Sequence, residues 1–220
     1  MAYTGEVRPG GPADIRELPG LIITKLSVGP MDNNAYLLEC TESGELLLVD
    51  AANQPERLLV VLDGRPLGGV VTTHRHADHW QGLAAVVAST GTRTYAGRED
   101  VEGIPVATDE ALDDGGVVPV GSVQLRVVTL VGHTPGSVAL VYRDPTDPAG
   151  HPHLFTGDTL FPGGPGRTTG AEDFTSLMND LEEKIFGKLP DDTWFYPGHG
   201  KDSTLGAERP SLADWRARGW

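Results

Sequence analysis

The feature that most constrains this chain is a cluster of metal-ligating residue types at positions 74–79. The segment reads His-Arg-His-Ala-Asp-His and directly follows Gly68–Thr73, a run whose composition predicts a buried strand. Residues i and i+2 of an extended chain point to the same side, so His74 and His76 can meet one ion at the end of that strand. The aspartate and histidine beyond them can face a second ion. Because imidazole nitrogen and carboxylate oxygen are ligands of Zn²⁺, the cluster predicts a metal site at a strand end.

Three further candidate ligands follow later predicted strands. They are His133, Asp158 and His199, and each has a glycine beside it. Small neighbours let the backbone turn sharply and let an ion approach closely, so we expect all three to join the site. A second His-x-His pattern, at His151 and His153, lies in a loop rich in Pro, Asp and Gly, and we do not expect it to ligate the metal.

The rest of the pattern predicts one mixed α/β domain. Three predicted strands between Leu21 and Val49 have the close spacing of an antiparallel meander, and Pro55–Leu62 is a predicted helix with proline in its first turn. No repeat or clear linker interrupts the chain. We therefore expect a single domain at residues 20–220, preceded by a loose arm at residues 1–19.

Later segments predict further strands and an amphipathic helix. Ile104–Ala107 is a predicted strand, and Val117–Leu130 is a predicted hairpin broken at Gly121. A helix with apolar residues at i, i+3 and i+4 spacing is expected to begin at Asp173 as its N-cap and to end before Pro190.

Charge and composition exclude several classes of partner. With 17 basic and 31 acidic residues, the chain has a formal net charge of −14, which repels nucleic acids and anionic membranes. The single cysteine, Cys40, allows no intrachain disulfide. Residues 1–20 contain no apolar run, and Leu58–Leu62 is far shorter than a membrane span. We therefore expect a cytoplasmic protein without nucleic-acid or membrane partners.

These residues together resemble the metallo-β-lactamase-fold hydrolases, from about Leu21 to the C-terminus. The resemblance implies an α/β (α+β) fold, a four-layer αβ/βα sandwich with two divalent metal ions at one edge. Zinc is the expected metal, with iron and manganese as alternatives. The resemblance also implies seven ligands. The first ion would be held by His74, His76 and His133, and the second by Asp78, His79 and His199. Asp158 would bridge both ions.

Within that superfamily the chain is most similar to short, single-domain glyoxalase II-like enzymes. The similarity rests on Gly157–Phe161, Gly163–Arg167, Pro197–Gly200 and Ser203–Arg209. It implies a metallo-hydrolase that cleaves a thioester such as S-lactoylglutathione by attack of a metal-bridging hydroxide. A thiol has a pKa of about 8.5, so it leaves without a strong general acid. The two-domain enzymes grip glutathione with a C-terminal helical domain, whereas about 20 residues follow His199 here, which leaves the thiol partner open.

Two side chains have expected roles in catalysis. We expect Asp78 to be a metal ligand first, with orientation of the hydroxide as a second role. Arg167 lies in a glycine-rich loop expected to face the site, where it could pair with an anionic group of a small-molecule thioester. A solvated loop arginine fits the same pattern equally well.

Three alternatives remain open at this point. A mononuclear iron persulfide dioxygenase resembles the same ligand positions, and imidazole and carboxylate suit iron as well as zinc. Lactonases of this fold commonly have a tyrosine soon after the bridging aspartate, where this chain has Thr159, Leu160 and Phe161. Some zinc β-lactamases have a cysteine at the position of Asp158. A nuclease or a noncatalytic regulator conflicts with the net charge and with the full ligand set.

Overall fold

Seven strands from the first half of the chain form one β-sheet. The structure is a computed structural model that describes residues 2–144 and 150–219. The strands lie across the sheet in chain order: β1 (Asp14–Glu17), β2 (Leu21–Val28), β3 (Asn33–Cys40), β4 (Leu46–Val49), β5 (Leu67–Thr72), β6 (Arg93–Gly97) and β7 (Glu110–Leu112). Pairing is antiparallel from β1 to β4 and parallel from β4 to β7. The carboxyl ends of β4, β5 and β6 therefore meet at one edge of the sheet.

The second sheet contains six strands in the order β15-β14-β11-β10-β9-β8. Its strands and a separate two-stranded ribbon, β12 with β13, come from the second half of the chain: β8 (Val117–Val120), β9 (Val123–Thr129), β10 (Val138–Tyr142), β11 (His153–Gly157), β12 (Leu160–Phe161), β13 (Gly164–Pro165), β14 (Trp194–Pro197) and β15 (Ser203–Thr204). Because β11 and β14 are parallel, their carboxyl ends also lie at a common edge.

Helices cover the outer face of each sheet, while the inner faces bury a shared apolar core. The helices are α1 (Pro55–Leu62), α2 (Leu83–Thr90), α3 (Ala171–Asp180), α4 (Leu205–Glu208) and α5 (Leu212–Arg218), and a π-helical stretch, Leu181–Phe186, continues α3. Apolar side chains of α1 and α2 pack on the first sheet, and those of α3, the π-helical stretch and α5 pack on the second. This confirms the expected four-layer αβ/βα sandwich.

The core between the two sheets is fully buried and includes a stack of aromatic rings. Phe155 and Tyr196 stack with ring centroids 4.7 Å apart, and Tyr36 meets Phe155 edge-on at 5.4 Å. Such aromatic pairs contribute about 0.5–1.5 kcal/mol beyond the apolar area that they bury. They hold the two sheets together just beneath the edge where β11 and β14 end.

Three local predictions from the sequence are wrong. Ile104–Ala107 is irregular rather than a strand, and Pro105 within it lacks the N–H that a strand ladder needs. Gly170, not Asp173, is the N-cap of α3, and Asp173 lies in the first helical turn. Residues 14–17 of the segment expected to be a loose arm form β1 and pair with β2.

Within residues 2–144 and 150–219, no helix has the length and apolar character needed to cross a membrane.

Candidate metal centre

The seven predicted ligands come together where strands of both sheets end. His74 lies just beyond β5, and the other three members of the 74–79 cluster lie in or beside a short 3-10 turn, Ala77–His79. His133 lies in the connection from β9 to β10, Asp158 directly follows β11, and His199 lies just beyond β14. Segments that follow strands of both sheets thus supply all seven side chains, which places the cluster across the edge of the sandwich.

One group contains His74, His76 and His133. Each of these residues offers one imidazole nitrogen, and the three nitrogens lie within 4.8 Å of one another. His76 Nδ1 is 2.9 Å from His133 Nε2. His74 Nε2 is buried and has no hydrogen-bond partner among the described residues. Buried polar atoms normally have a hydrogen-bond partner. A buried ring nitrogen that lacks one is therefore suited to bind a metal ion.

A second group contains Asp78, His79 and His199. His79 Nε2 is 3.2 Å from His199 Nε2, and Asp78 Oδ2 is 3.3 Å from His199 Nε2 and 3.5 Å from His79 Nε2. Ligands at 2.0–2.1 Å from one tetrahedral zinc ion lie about 3.3 Å from one another. The three atoms therefore have the mutual spacing of three corners of a zinc coordination tetrahedron.

Asp158 lies between the two groups. Its carboxylate oxygens are 3.3 Å from His79 Nε2 and 3.4 Å from His199 Nε2 on one side. On the other side they are 4.0 Å from His74 Nε2 and 3.8 Å from His133 Nε2. One carboxylate thus faces four imidazoles, and the His/Asp cluster as a whole fits a dinuclear metal site.

The cluster attracts positive charge. The hydrogen bond from His199 holds the pKa of Asp78 well below its usual range. Burial raises the pKa of Asp158, but His79 and His199 outweigh that effect and hold this pKa well below its usual range as well. Burial likewise lowers the pKa of His199, yet hydrogen bonds to Asp158 and Asp78 raise it to about 10. Two ionised carboxylates in a partly buried site therefore favour protonation of the neighbouring imidazoles. A bound cation at the same place would supply that positive charge instead of the protons.

Hydrogen bonds to the ring nitrogens that face away from the cluster orient three of the histidines. His133 Nδ1 donates to the backbone carbonyl of Arg167 at 2.6 Å, and His199 Nδ1 donates to that of Met31 at 2.9 Å. His79 Nδ1 donates to a carboxylate oxygen of Asp50 at 2.8 Å. Contacts of this kind set the tautomer, so that Nε2 remains free to bind a metal. Arg167 therefore contributes its carbonyl here, while its side chain is exposed.

Asp50 bonds to the cluster and is not among the residues predicted from the sequence. It is 2% exposed, and its carboxylate accepts hydrogen bonds from Thr73 N at 2.7 Å, from Thr73 Oγ1 at 2.8 Å and from His79 Nδ1. Its backbone has a φ of 59°, a left-handed conformation that is uncommon outside glycine. The sequence feature that could have indicated Asp50 is its place directly after the apolar strand β4. Only the parallel pairing of β4 with β5 shows that it lies beside the cluster.

Asn33 was also missed, and it supports the second group. Its side-chain amide donates to Asp78 Oδ2 at 2.8 Å. Asn33 is 1% exposed, so this contact is shielded from water. Asn33 is the first residue of β3, and this strand carries the amide to the cluster.

Gly198 is required by the close approach of the chain to the cluster. A Cβ atom at this position would lie 2.1 Å from Asp158 Oδ1 and 2.7 Å from His79 Cε1. Distances this short are not seen for real Cβ atoms, so any side chain here would displace two of the candidate ligands.

Asp100 is a fully buried carboxylate that joins the loops carrying the first group. It accepts hydrogen bonds from Arg75 N at 3.0 Å and Thr134 Oγ1 at 2.5 Å through one oxygen, and from Gly136 N at 2.9 Å through the other. Arg75 lies between two candidate ligands, and Thr134 directly follows a third. Asp100 therefore fixes the two loops relative to each other.

We expect Asp100→Asn to lower the free energy of unfolding by about 1–3 kcal/mol, because the amide nitrogen would face a buried donor instead of accepting from it. For a chain of this size each kcal/mol lowers the melting temperature by roughly 2–4 °C. Thermal unfolding followed by circular dichroism measures the effect. Asp113→Asn is the matched control, since Asp113 pairs with Arg98 in solvent and its loss should cost less than about 0.5 kcal/mol. Equal stability of the two variants would contradict the role given to Asp100.

The other His-x-His pattern lies outside the cluster, as expected. His151 is exposed and forms an ion pair with Asp192 at 2.6 Å. His153 is buried in β11, where its Nδ1 is 2.9 Å from the hydroxyl of Tyr196. Among the described residues, neither histidine belongs to a group that could hold a metal.

Comparison with known proteins identifies a family and several relatives. The sequence model described as "Metallo-beta-lactamase superfamily" matches residues 28–199. A hydroxyacylglutathione hydrolase from Polaromonas sp. is 35% identical over 182 residues, which cover 81% of this chain and 66% of that protein. The chain thus spans slightly less than two thirds of the length of this curated relative.

Two solved structures resemble the chain over most of its length. One is TTHA1623 in a di-iron-bound form, which is 30% identical with a TM-score of 0.70, covering 84% of this chain and 96% of the other. The other is ETHE1 from Myxococcus xanthus, which is 25% identical with a TM-score of 0.75, covering 87% of this chain and 84% of the other.

Proposed function

This chain belongs to the metallo-beta-lactamase superfamily, and we propose that it is a dinuclear metallo-hydrolase that cleaves thioesters, as glyoxalase II does. The observation that carries the proposal is the position of Asp158, whose carboxylate faces histidines of both ligand groups at 3.3–4.0 Å. The similarity to a hydroxyacylglutathione hydrolase supports a thioester substrate. The di-iron form of TTHA1623 supports two ions and leaves iron as an alternative to zinc.

We assign the seven clustered residues as metal ligands. His74, His76 and His133 would hold one ion, Asp78, His79 and His199 would hold the other, and Asp158 would contact both. Two divalent cations held in this way lower the pKa of a shared water molecule toward neutrality and act as Lewis acids toward a carbonyl oxygen.

The remaining chemistry follows from how the chain holds its own side chains. Asn33 and Asp50 keep Asp78 and His79 in place by hydrogen bonds of 2.8 Å each. Pre-positioned groups do not have to reorganise as charge develops on the substrate, which lowers the barrier. Among the described residues, the polar side chains that bond to the cluster from outside it are Asn33, Asp50 and Thr73. None of these three is a free general acid, and a thiolate leaving group does not require one.

Arg167 is our proposed contact for an anionic group of the substrate. Its carbonyl is bonded to His133, so the residue lies beside the first ligand group, and its side chain is exposed. An exposed guanidinium in that place can form a bidentate pair with a carboxylate.

The proposal is tested by measuring hydrolysis of S-lactoylglutathione by zinc-loaded protein, followed as loss of the thioester absorbance. We expect turnover that disappears when a chelator removes the zinc and returns when zinc is restored, because the bound ions would lower the pKa of the water that attacks the thioester. Magnesium added in place of zinc is the control, since it prefers oxygen ligands in octahedral geometry. No turnover by protein shown to contain two zinc ions would contradict the thioesterase proposal.

A mononuclear iron persulfide dioxygenase is the second candidate, favoured by one observation. His74, His79 and Asp158 by themselves form a buried group of two histidines and a carboxylate within 4.8 Å. That ligand set is typical of non-haem iron oxygenases. Oxygen consumption with glutathione persulfide by protein holding a single iron, without thioester hydrolysis, would favour this candidate over the first.

A further inference from the structure

A fully buried lysine lies beneath the loop that carries His199. Lys25 in β2 is 0% exposed, and its ammonium donates three hydrogen bonds. The acceptors are Gly5 O at 2.7 Å, Gly200 O at 2.7 Å and Asp202 Oδ1 at 2.6 Å. All three protons of the ammonium are thus used, and two of its acceptors follow His199 in the chain within three residues.

The carboxylate of Asp202 is also buried, and both of its oxygens accept hydrogen bonds. The side chain of Asp202 is 1% exposed, and its second oxygen accepts from Tyr3 Oη at 2.6 Å and from Trp194 Nε1 at 3.0 Å. Tyr3 and Gly5 both belong to the segment before β1. The ion pair therefore ties the first residues of the chain to the loop that follows β14.

A contribution to the free energy of unfolding is a poor explanation for this buried ion pair. Burial lowers the pKa of Lys25 even though Asp202 opposes that shift, and burial raises the pKa of Asp202 even though Lys25 opposes it. The cost of removing the two charges from water thus outweighs their mutual attraction, as is common for buried pairs. Because replacing such a pair with well-packed apolar residues is often neutral for stability, the three hydrogen bonds of the ammonium point to a positional role.

The positional role concerns the backbone on both sides of His199. Gly200 O accepts from Lys25 and also from Asn34 Nδ2 at 2.9 Å, while Pro197 O accepts from Asn34 Nδ2 at 2.8 Å and from Tyr36 Oη at 2.6 Å. Pro197 O thus accepts from neutral donors alone, whereas Gly200 O accepts from one neutral donor and from the charged donor Lys25. Charge-assisted hydrogen bonds are about twice as strong as neutral ones, so Lys25 is the dominant anchor on that side.

We propose that Lys25 is a positioning residue that sets the place of the His199 imidazole and thereby the affinity of the Asp78–His79–His199 group for its metal ion. The inference rests on the metal assignment made under the proposed function. It predicts that loss of the ammonium weakens binding of one ion only, because the hydrogen bonds of Lys25 and Asp202 to described residues reach Tyr3, Gly5, Trp194 and Gly200 and none of the loops that carry the first group. Supporting contacts of this kind change metal affinity by roughly 10–100-fold.

The test compares Lys25→Met with the double variant Lys25→Met/Asp202→Asn. The single variant leaves a buried carboxylate without its partner and is expected to be less stable. The double variant removes that charge while its amide oxygen still accepts from Tyr3 and Trp194, so its melting temperature should lie above that of the single variant. Lys201→Met is the matched control, since Lys201 is an exposed lysine in the same loop.

The full-length, zinc-loaded proteins are dialysed against graded concentrations of a chelator, and retained zinc is counted. We expect the double variant to lose one of its two ions at a chelator concentration at least tenfold lower than the wild type does, with retention of the other ion unchanged. Lys201→Met should match the wild type. Retention of both ions at wild-type affinity by the double variant, equal loss of both ions, or the same loss in Lys201→Met would each overturn the proposal.

The zinc count separates this inference from the thioesterase proposal. Selective loss of one ion in the double variant supports the role of Lys25 even if the wild type hydrolyses no thioester. A wild-type protein that holds fewer than two ions overturns both proposals.

Discussion

Asp158→Asn is expected to reduce thioester hydrolysis roughly 10³-fold, because Lewis-acid stabilisation by bound ions is worth several kcal/mol and the amide cannot bridge both ions. Asp158 is the residue that contacts both ligand groups, with four imidazole nitrogens at 3.3–4.0 Å from its oxygens. The measurement is kcat/KM for S-lactoylglutathione together with the zinc content of the same sample. We expect the zinc content to fall as well, since both ions lose a ligand.

His151→Ala is the matched control for this variant. It removes a histidine from the same His-x-His spacing, but His151 is exposed and pairs with Asp192 outside the cluster. Its activity and zinc content should equal those of the wild type. If Asp158→Asn kept near-normal turnover, or if His151→Ala lost it, the assignment of Asp158 as a bridging ligand would be wrong.

Asp50→Asn is expected to weaken binding of the second ion by roughly 10–100-fold without contacting that ion. The amide oxygen can still accept from Thr73 N, but the amide nitrogen then faces His79 Nδ1 as a donor. His79 Nδ1 can accept a hydrogen bond from this amide only when it carries no proton. The proton of the neutral ring then lies on Nε2 and blocks the nitrogen that would bind the metal. We therefore expect low turnover that recovers when excess zinc is supplied.

A matched control for Asp50→Asn exists elsewhere in the same sheet. Asp109 accepts from Thr94 N at 2.9 Å and from Thr94 Oγ1 at 3.1 Å, which repeats the contact of Asp50 with Thr73 but without a histidine. Asp109→Asn should leave zinc affinity unchanged. An equal loss of zinc affinity in the two variants would show that the effect comes from sheet stability rather than from the tautomer of His79.

The clustering of the seven candidate ligands could be predicted from the sequence because the segments that carry them follow recognisable strands. The run before His74 was predicted as a buried strand, and the structure has β5 there at Leu67–Thr72. Asp158 and His199 likewise follow β11 and β14, which pair in parallel. A strand end beside a glycine is a local pattern, and local patterns are what a single sequence reveals.

The residues that support the ligands could not be predicted in the same way. Asp50 reaches His79 across 29 positions of sequence, and Asp100 reaches Thr134 across 34. Neither contact has a local signature, since each depends on which strands are neighbours in the sheet. The buried contact of Lys25 with Asp202 spans 177 positions and joins two elements that periodicity cannot place together.

The wrong local predictions have the same origin. The β-type composition of Ile104–Ala107 favoured a strand, but the position beside β6 is taken by Glu110–Leu112. The glycine- and proline-rich start of the chain suggested a loose arm, yet Asp14–Glu17 pairs with β2 and Tyr3 bonds to Asp202. Tertiary pairing decided both cases against the local propensity.

Anomalous X-ray diffraction at the zinc edge, from crystals of the zinc-loaded protein, tests the dinuclear site most directly. Two peaks are expected: one at about 2.0–2.2 Å from nitrogens of His74, His76 and His133, and one at the same distance from Asp78, His79 and His199. Asp158 should contact both. A single peak, or peaks away from these residues, in fully loaded crystals would contradict the two-metal site on which the proposed hydrolysis depends.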